Sequence, residues 1–134
     1  MDKKCILIVE DNELNRKLVR TLLHLGDYDI LEAEDAETAL QLARHEKPDL
    51  ILMDIQLPGM DGLTATAQIK EDPELRNIPV VALTACAMPE DEKKAIDAGC
   101  NGYISKPIET RTFLDKVSSF LDCDIVSNTL ERCK

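Results

Sequence analysis

Five short apolar segments recur along the chain and are typical of β-strands. Three of them read ILIV, LILM and VVAL and are apolar at consecutive positions. Such runs favour strands that are covered on both faces, as in a parallel sheet. We therefore predict strands at residues 5–9, 29–33, 50–53, 80–83 and 102–104.

Segments with helical periodicity lie between and after these strands. The first segment has one apolar stripe, which consists of Leu14, Leu18, Thr21, Leu22 and Leu25. Gly26 follows it and is expected to end the helix. Asp35 caps a second helix that ends before Pro48, and a third spans residues 63–71. A fourth begins at Pro89 and closes at Gly99, and the last spans residues 109–121.

The alternation of strand and helix predicts the fold class. Five strand–helix units in succession imply right-handed crossovers and an α/β, doubly wound, flavodoxin-like sandwich. We expect a five-stranded parallel sheet of order 2-1-3-4-5 with five helices. A chain of 134 residues suits one such domain, and we expect it to span residues 1–122. Residues 123–134 would form a short tail, too short for an output domain.

Charge and cysteine content narrow the possible partners. Asp and Glu outnumber Lys and Arg by 26 to 16, and a surface of net charge -10 repels a nucleic-acid backbone. No stretch is long or apolar enough to cross a membrane. The five cysteines are scattered and show no CxxC pairing, so we interpret them as free thiols of a reducing cytoplasm.

Polar residues follow four of the five predicted strands. In open α/β sheets, ligands bind beyond the carboxyl ends of the strands. Three carboxylates gathered there would repel one another, so a divalent cation is expected to neutralise them, and oxygen ligands of this kind suit Mg²⁺. The residues expected at this edge are Glu10, Asp11, Asp54, Thr84 and Lys106.

A lysine and a threonine beside the carboxylates indicate phosphoryl transfer. That chemistry needs an in-line nucleophile, together with positive charge and hydrogen-bond donors around the phosphoryl oxygens. We expect Asp54 to be the nucleophile. Lys106 would pair with one phosphoryl oxygen, and the Thr84 hydroxyl would donate to another.

The chain resembles a response-regulator receiver domain of the CheY-like superfamily, from bacterial two-component systems. The similarity covers about residues 3–121 and rests on four motifs in order: ILIVEDN, PDLILMDIQLPGMDG, PVVALTA and GYISKPI. Within the family, the EDNELN start and the MDIQLP strand end are most similar to DivK-type single-domain regulators of bacterial cell-cycle signalling.

The resemblance implies roles for particular residues. The acidic metal pair maps onto Glu10 and Asp11, the phosphoacceptor onto Asp54, and a backbone-carbonyl metal ligand onto Gln56. Thr84 and Lys106 match the family's switch hydroxyl and lysine, and Tyr103 matches a rotamer switch that follows the threonine. By the same resemblance, the bond between Lys106 and Pro107 is expected to be cis.

The resemblance also implies partners. The donor would be a histidine kinase or a histidine phosphotransfer protein. A downstream protein would bind the surface of the fourth helix, fifth strand and fifth helix. The chain would be a signalling switch, which catalyses its own phosphoryl transfer and slow dephosphorylation, and not a turnover enzyme.

Plainer interpretations remain open at the level of sequence. Glu10 and Asp11 could be helix-capping acids, and Thr84 and Tyr103 ordinary strand residues. A Mg²⁺-dependent phosphatase of the haloacid-dehalogenase kind also uses an aspartyl nucleophile, although Gln56 stands where its second Asp is expected. A receiver-like module that binds partners without phosphorylation is a third possibility. We read His24 and His45 as surface residues.

Overall fold

Five parallel strands form one sheet in the computed structural model, which describes residues 4–55, 59, 62–84, 89–105 and 108–129. The order β2-β1-β3-β4-β5 confirms the predicted topology. The strands are β1 (Cys5–Val9), β2 (Asp29–Ala33), β3 (Leu50–Asp54), β4 (Val80–Thr84) and β5 (Gly102–Ser105).

Three strands continue one residue further than their apolar runs predicted. Asp54 pairs in register with Leu83, and Thr84 pairs with Ser105. Because these polar residues keep the pairing of the sheet, the strands carry Asp54 and Thr84 as their last residues. The position of both side chains is therefore set by the ladder and not by a following loop.

The helices are α1 (Glu13–Leu25), α2 (Ala36–Glu46), α3 (Gly62–Glu71), α4 (Pro89–Asp97) and α5 (Thr110–Thr129). Asp35 caps α2 as predicted, since its Oδ1 accepts a 2.7 Å hydrogen bond from the Thr38 N–H. This bond holds the pKa of Asp35 below its usual value. Helix α5 runs past its predicted end at residue 121, so seven residues of the predicted tail, 123–129, continue the helix. None of the helices among the described residues is both long and apolar enough to cross a membrane.

Two hydrophobic layers cover the two faces of the sheet. On one face, α1 and α5 pack against alternate strand residues through Val19, Leu22, Leu23, Phe113, Val117 and Leu121. On the other, α2, α3 and α4 contribute mainly small side chains, among them Ala36, Ala39, Ala43, Ala65 and Ala95. The sheet is thus buried on both sides, as the consecutive apolar runs predicted.

The predicted apolar face of α1 was wrong in part. Leu14 is 77% exposed and Leu25 73% exposed, whereas the residues that pack on the sheet are Val19, Leu22 and Leu23. The helix carries two neighbouring aliphatic stripes, and the sequence pattern did not show which of them faces the core. The structure turns the stripe with Val19 and Leu23 inward, and Leu14, Leu18 and Leu25 remain on the surface.

A pair of alanine substitutions tests this orientation. Val19→Ala removes two buried methyl groups and is expected to lower the free energy of unfolding by about 2 kcal/mol. Leu14→Ala removes a larger but exposed side chain and is expected to change it by no more than about 0.5 kcal/mol. Urea unfolding of both variants measures the difference. A larger effect of Leu14→Ala than of Val19→Ala would contradict the observed helix orientation.

The cysteines and histidines of the described residues fit the sequence predictions. Cys5 and Cys100 are free thiols. Burial raises the pKa of the Cys100 thiol, which keeps it protonated and unreactive. Both His24 and His45 are exposed. The side chains of Cys86, Cys123 and Cys133 lie outside the described part of the chain.

Candidate metal centre

Three carboxylates meet at the carboxyl edge of the sheet. Glu10 follows β1 directly, Asp11 is next to it, and Asp54 ends the neighbouring strand β3. Carboxylate oxygens of the three residues lie within 4.8 Å of one another. Glu10 is 1% exposed and Asp54 3% exposed, while Asp11 is open to solvent. The structure therefore brings together all three acidic side chains that the sequence placed at this edge.

The backbone of Glu10 is held by hydrogen bonds to neighbouring elements. Its N–H donates to the Ala33 carbonyl at 3.0 Å, which continues the pairing of β1 with β2. Its carbonyl oxygen accepts from the Arg16 guanidinium, also at 3.0 Å. Its side-chain Oε2 accepts from the Asn12 N–H at 3.2 Å. The junction between β1 and α1 is therefore fixed from both sides.

Asn12 links this junction to the start of α1. Its side-chain oxygen accepts a 2.9 Å hydrogen bond from the Asn15 N–H, which makes Asn12 the N-terminal cap of the helix. The alternative interpretation, in which Glu10 and Asp11 cap α1, is thus not needed. Helix α1 has its own cap, and the two acids precede it.

The end of β3 is packed tightly against the start of α3. The Ile55 N–H donates to the Leu83 carbonyl at 3.2 Å, and the Gly62 N–H donates to the Ile55 carbonyl at 3.3 Å. A Cβ atom at position 62 would lie 2.7 Å from the Ile55 Cα and would also meet the Asp54 carbonyl oxygen. Gly62 therefore allows close packing behind Asp54.

Thr84 and Tyr103 share one face of the sheet. Thr84 is 3% exposed, and its side chain lies on the same face as that of Ala82, two residues before it in β4. Ala82 pairs in register with Tyr103, which is half-buried and packs against the hydrophobic layer of α2, α3 and α4. The two residues thus border the same layer, on adjacent strands.

Three of the predicted site positions fall outside the described residues. These are Gln56, Lys106 and Pro107, so the predicted carbonyl ligand, the predicted lysine and the predicted cis bond stay predictions.

The charge density of the cluster favours a bound cation. Two unit charges about 5 Å apart repel by about 3 kcal/mol at an effective dielectric constant of about 20. Glu10 and Asp54 are both buried, so solvent screens their repulsion poorly. The donors are all carboxylate oxygens, which are hard ligands. Oxygen ligands of one octahedral Mg²⁺ lie about 3 Å apart in cis and about 4 Å apart in trans, so the observed cluster fits such an ion with small adjustments or with a bridging water.

The sheet order and the acidic edge define the class of protein, and comparison with known families agrees. The profile of the response regulator receiver domain matches residues 6–118. The chain belongs to this family, and it is a two-component response regulator domain, a signalling switch.

Individual relatives show to which regulators within this family the chain is similar. The polar-differentiation response regulator DivK of Brucella anthropi is 50% identical over 118 residues, which cover 88% of this chain and 96% of the relative. DivK of Brucella ovis is also 50% identical over the same length. The resemblance to DivK-type regulators, inferred from the motifs, is thereby confirmed.

Solved structures of receivers superpose closely on the chain. The receiver domain of the sensor histidine kinase PA1611 from Pseudomonas aeruginosa gives a TM-score of 0.83 at 31% identity and covers 90% of this chain and 99% of its own. That structure has a magnesium ion coordinated in its active-site cleft. A CheY-like receiver from Methanospirillum hungatei gives 0.86 at 27% identity, with 94% and 99% covered.

Proposed function

We propose that the chain accepts a phosphoryl group on Asp54 in a reaction that requires Mg²⁺, and that this modification changes the surface it offers to a protein partner. The observation that carries the proposal is the cluster of Glu10, Asp11 and Asp54, whose carboxylate oxygens lie within 4.8 Å of one another. The magnesium ion in the receiver of PA1611 supports the choice of metal.

The proposed metal ligands are Glu10, Asp11, Asp54 and the backbone carbonyl of Gln56. Glu10 has a longer side chain than aspartate and is suited to hold the ion through a water molecule. Mg²⁺ bound there would neutralise the carboxylates and polarise a phosphoryl oxygen.

The reacting group in this proposal is the Asp54 carboxylate. One of its oxygens attacks the phosphorus of a phosphohistidine in line, an O–P bond forms, and the P–N bond breaks with its electron pair passing to the imidazole. The position of Asp54 at the end of a paired strand supports this role, because the ladder fixes the nucleophile before the donor arrives. Lys106 would pair with a phosphoryl oxygen, and the Thr84 hydroxyl would donate to another.

The proposed switch uses the face that Thr84 and Tyr103 share. When Thr84 moves to the phosphoryl group, it leaves space on its own face of the sheet, into which Tyr103 turns. The half-buried position of Tyr103 supports this movement, since a ring that is partly open to solvent is not enclosed by the core on all sides. The surface of α4, β5 and α5 is then the part that a downstream protein reads.

The proposed phosphoryl donor is a histidine kinase or a histidine phosphotransfer protein. Helix α1 begins beside the acidic edge and exposes Leu14 and Leu18 there. Exposed leucines next to a reactive site support docking of a protein over the edge of the sheet. They are of no evident use for a small-molecule donor.

Phosphorylation by acetyl phosphate tests the proposed chemistry. The chain incubated with acetyl phosphate and MgCl₂ is expected to gain the mass of one phosphoryl group, because the site supplies its own nucleophile and metal ligands. With EDTA in place of MgCl₂ the gain should disappear. Intact-mass spectrometry at neutral pH measures both results.

The residue that carries the phosphoryl group distinguishes this proposal from nonspecific phosphorylation of other carboxylates. Reduction of the modified chain with borohydride converts an aspartyl phosphate to homoserine, which peptide mapping locates. Homoserine at position 54 is the expected result. Labelling that survives EDTA, or that falls on other acids, would contradict the proposal.

A further inference from the structure

Arg16 connects α1 to the ends of two strands. Its side chain is 14% exposed, although the residue lies near the start of a surface helix. Its Nη1 donates to the carbonyl oxygen of Glu10 at 3.0 Å, and its Nε donates to Glu32 Oε1 at 3.0 Å. The guanidinium therefore joins Glu10, the first acid of the acidic edge, to the neighbouring strand β2.

The Glu10 carbonyl is the contact through which Arg16 can affect the backbone of the acidic edge. A planar peptide group contains the carbonyl of one residue and the N–H of the next, so a bond to the Glu10 carbonyl fixes the plane of the peptide between Glu10 and Asp11. The preceding peptide is held by the Ala33 carbonyl, which accepts from the Glu10 N–H. With both peptides fixed, the backbone conformation of Glu10 is fixed, and so is the position at which the Asp11 Cα follows it.

Glu34 and Glu32 together offset the positive charge of Arg16. Glu34 Oε2 lies 4.0 Å from the Arg16 Nη2, and the closer partner is Glu32. It accepts from Arg16 and also from Arg20, whose Nη1 lies 3.0 Å and 2.9 Å from its two carboxylate oxygens. Arg16 therefore contributes geometry more than charge to the acidic edge. A guanidinium can hold two acceptors in a fixed plane, whereas a lysine ammonium on a flexible stem cannot reproduce that arrangement.

We propose that Arg16 is a positioning residue for the metal site: by holding the peptide between Glu10 and Asp11 in one orientation, it keeps the two acids arranged for a divalent cation. The inference rests on the proposed function, since it assumes that these acids bind Mg²⁺. Partners that orient metal ligands commonly change metal affinity by about tenfold or more when they are removed.

Arg20 provides a matched control for the experiment. Arg16→Met and Arg20→Met each remove one arginine that pairs with Glu32, but only Arg16→Met removes the bond to the Glu10 carbonyl. We expect the Mg²⁺ dissociation constant, measured by calorimetric titration with MgCl₂, to rise about tenfold in Arg16→Met. In Arg20→Met it should stay close to the wild-type value.

A second readout uses the protein without metal. The Asn12 N–H donates to Glu10 Oε2, so its hydrogen-exchange rate reports on the order of the junction. In EDTA, this rate should rise in Arg16→Met and stay unchanged in Arg20→Met. A purely structural role would lower the stability of both variants and leave the difference between their Mg²⁺ affinities small.

The outcomes separate the two proposals. If the wild-type chain does not bind Mg²⁺, the metal site itself is overturned; if it binds and Arg16→Met binds equally well, only the role of Arg16 is overturned. Should Arg16→Met fail to fold, Arg16→Lys against Arg20→Lys carries the same comparison, with a smaller expected loss. Full restoration of affinity by Arg16→Lys would overturn the argument from guanidinium geometry.

Discussion

Asp54→Asn is expected to leave the chain folded and unable to gain a phosphoryl group from acetyl phosphate. The amide has nearly the shape of the carboxylate, so the packing at the end of β3 is retained, but its oxygen is not a nucleophile of comparable strength. It also removes one of the three proposed charges around the cation. We therefore expect complete loss of the phosphoryl mass together with weaker Mg²⁺ binding.

Asp97→Asn is the matched control for this substitution. Asp97 is an exposed residue at the end of α4, and it belongs to no described cluster of metal-binding groups. The control should be labelled like the wild type. Intact-mass spectra of the three proteins and their far-ultraviolet circular dichroism separate lost chemistry from lost fold. Equal labelling of Asp54→Asn and wild type would show that Asp54 is not the acceptor.

Gly62→Ala is expected to lower the free energy of unfolding by about 3 kcal/mol and the Tm by about 10 °C. The added methyl group would meet backbone atoms at the end of β3, among them the Ile55 Cα at 2.7 Å. Backbone atoms of a central strand cannot rotate away as a flexible side chain can. Either α3 shifts outward or the end of β3 moves, and the second response displaces Asp54, so phosphorylation should also slow.

Gly59→Ala separates crowding from backbone strain. Gly59 has a positive φ of 74°, but a Cβ atom there would meet no atom of the described residues within 4 Å. Its alanine variant should lose about 1 kcal/mol through strain alone. Thermal unfolding of the two variants measures the difference, and phosphorylation rates measure the displacement of Asp54. A Gly62→Ala variant as stable as Gly59→Ala would contradict the close contact between α3 and β3.

The sequence predicted the sheet and the acidic edge for definite physical reasons. Consecutive apolar residues required strands covered on both faces, and the alternation with helices required parallel order. Because the carboxyl ends of parallel strands meet at one edge of the sheet, the sequence predicts that Glu10, Asp11 and Asp54 lie together.

Other features depend on three-dimensional contacts that no local pattern encodes. Two aliphatic stripes compete on α1, and only packing against the sheet shows that Val19 faces inward and Leu14 outward. The importance of Gly62 depends on atoms of a different element, β3. In the sequence, Arg16 resembles any surface arginine of a helix, and only the structure shows its bond to the Glu10 carbonyl. An arginine a few residues after two consecutive acids is the sequence signal that could have suggested this role for Arg16.

The division of the core into two layers has a consequence for signalling. Ala82, Tyr103 and Ala95 of α4 belong to one layer, and Leu83, Ile104 and Phe113 of α5 belong to the other. In the proposed switch, a rearrangement around Thr84 would disturb the layer to which α2, α3 and α4 contribute mainly small side chains, so little apolar contact would be lost when these helices move. The leucine, valine and phenylalanine contacts of α1 and α5 on the other face would stay intact. In the proposed switch, α4 could therefore shift while α5 keeps its packing and preserves the stability of the fold.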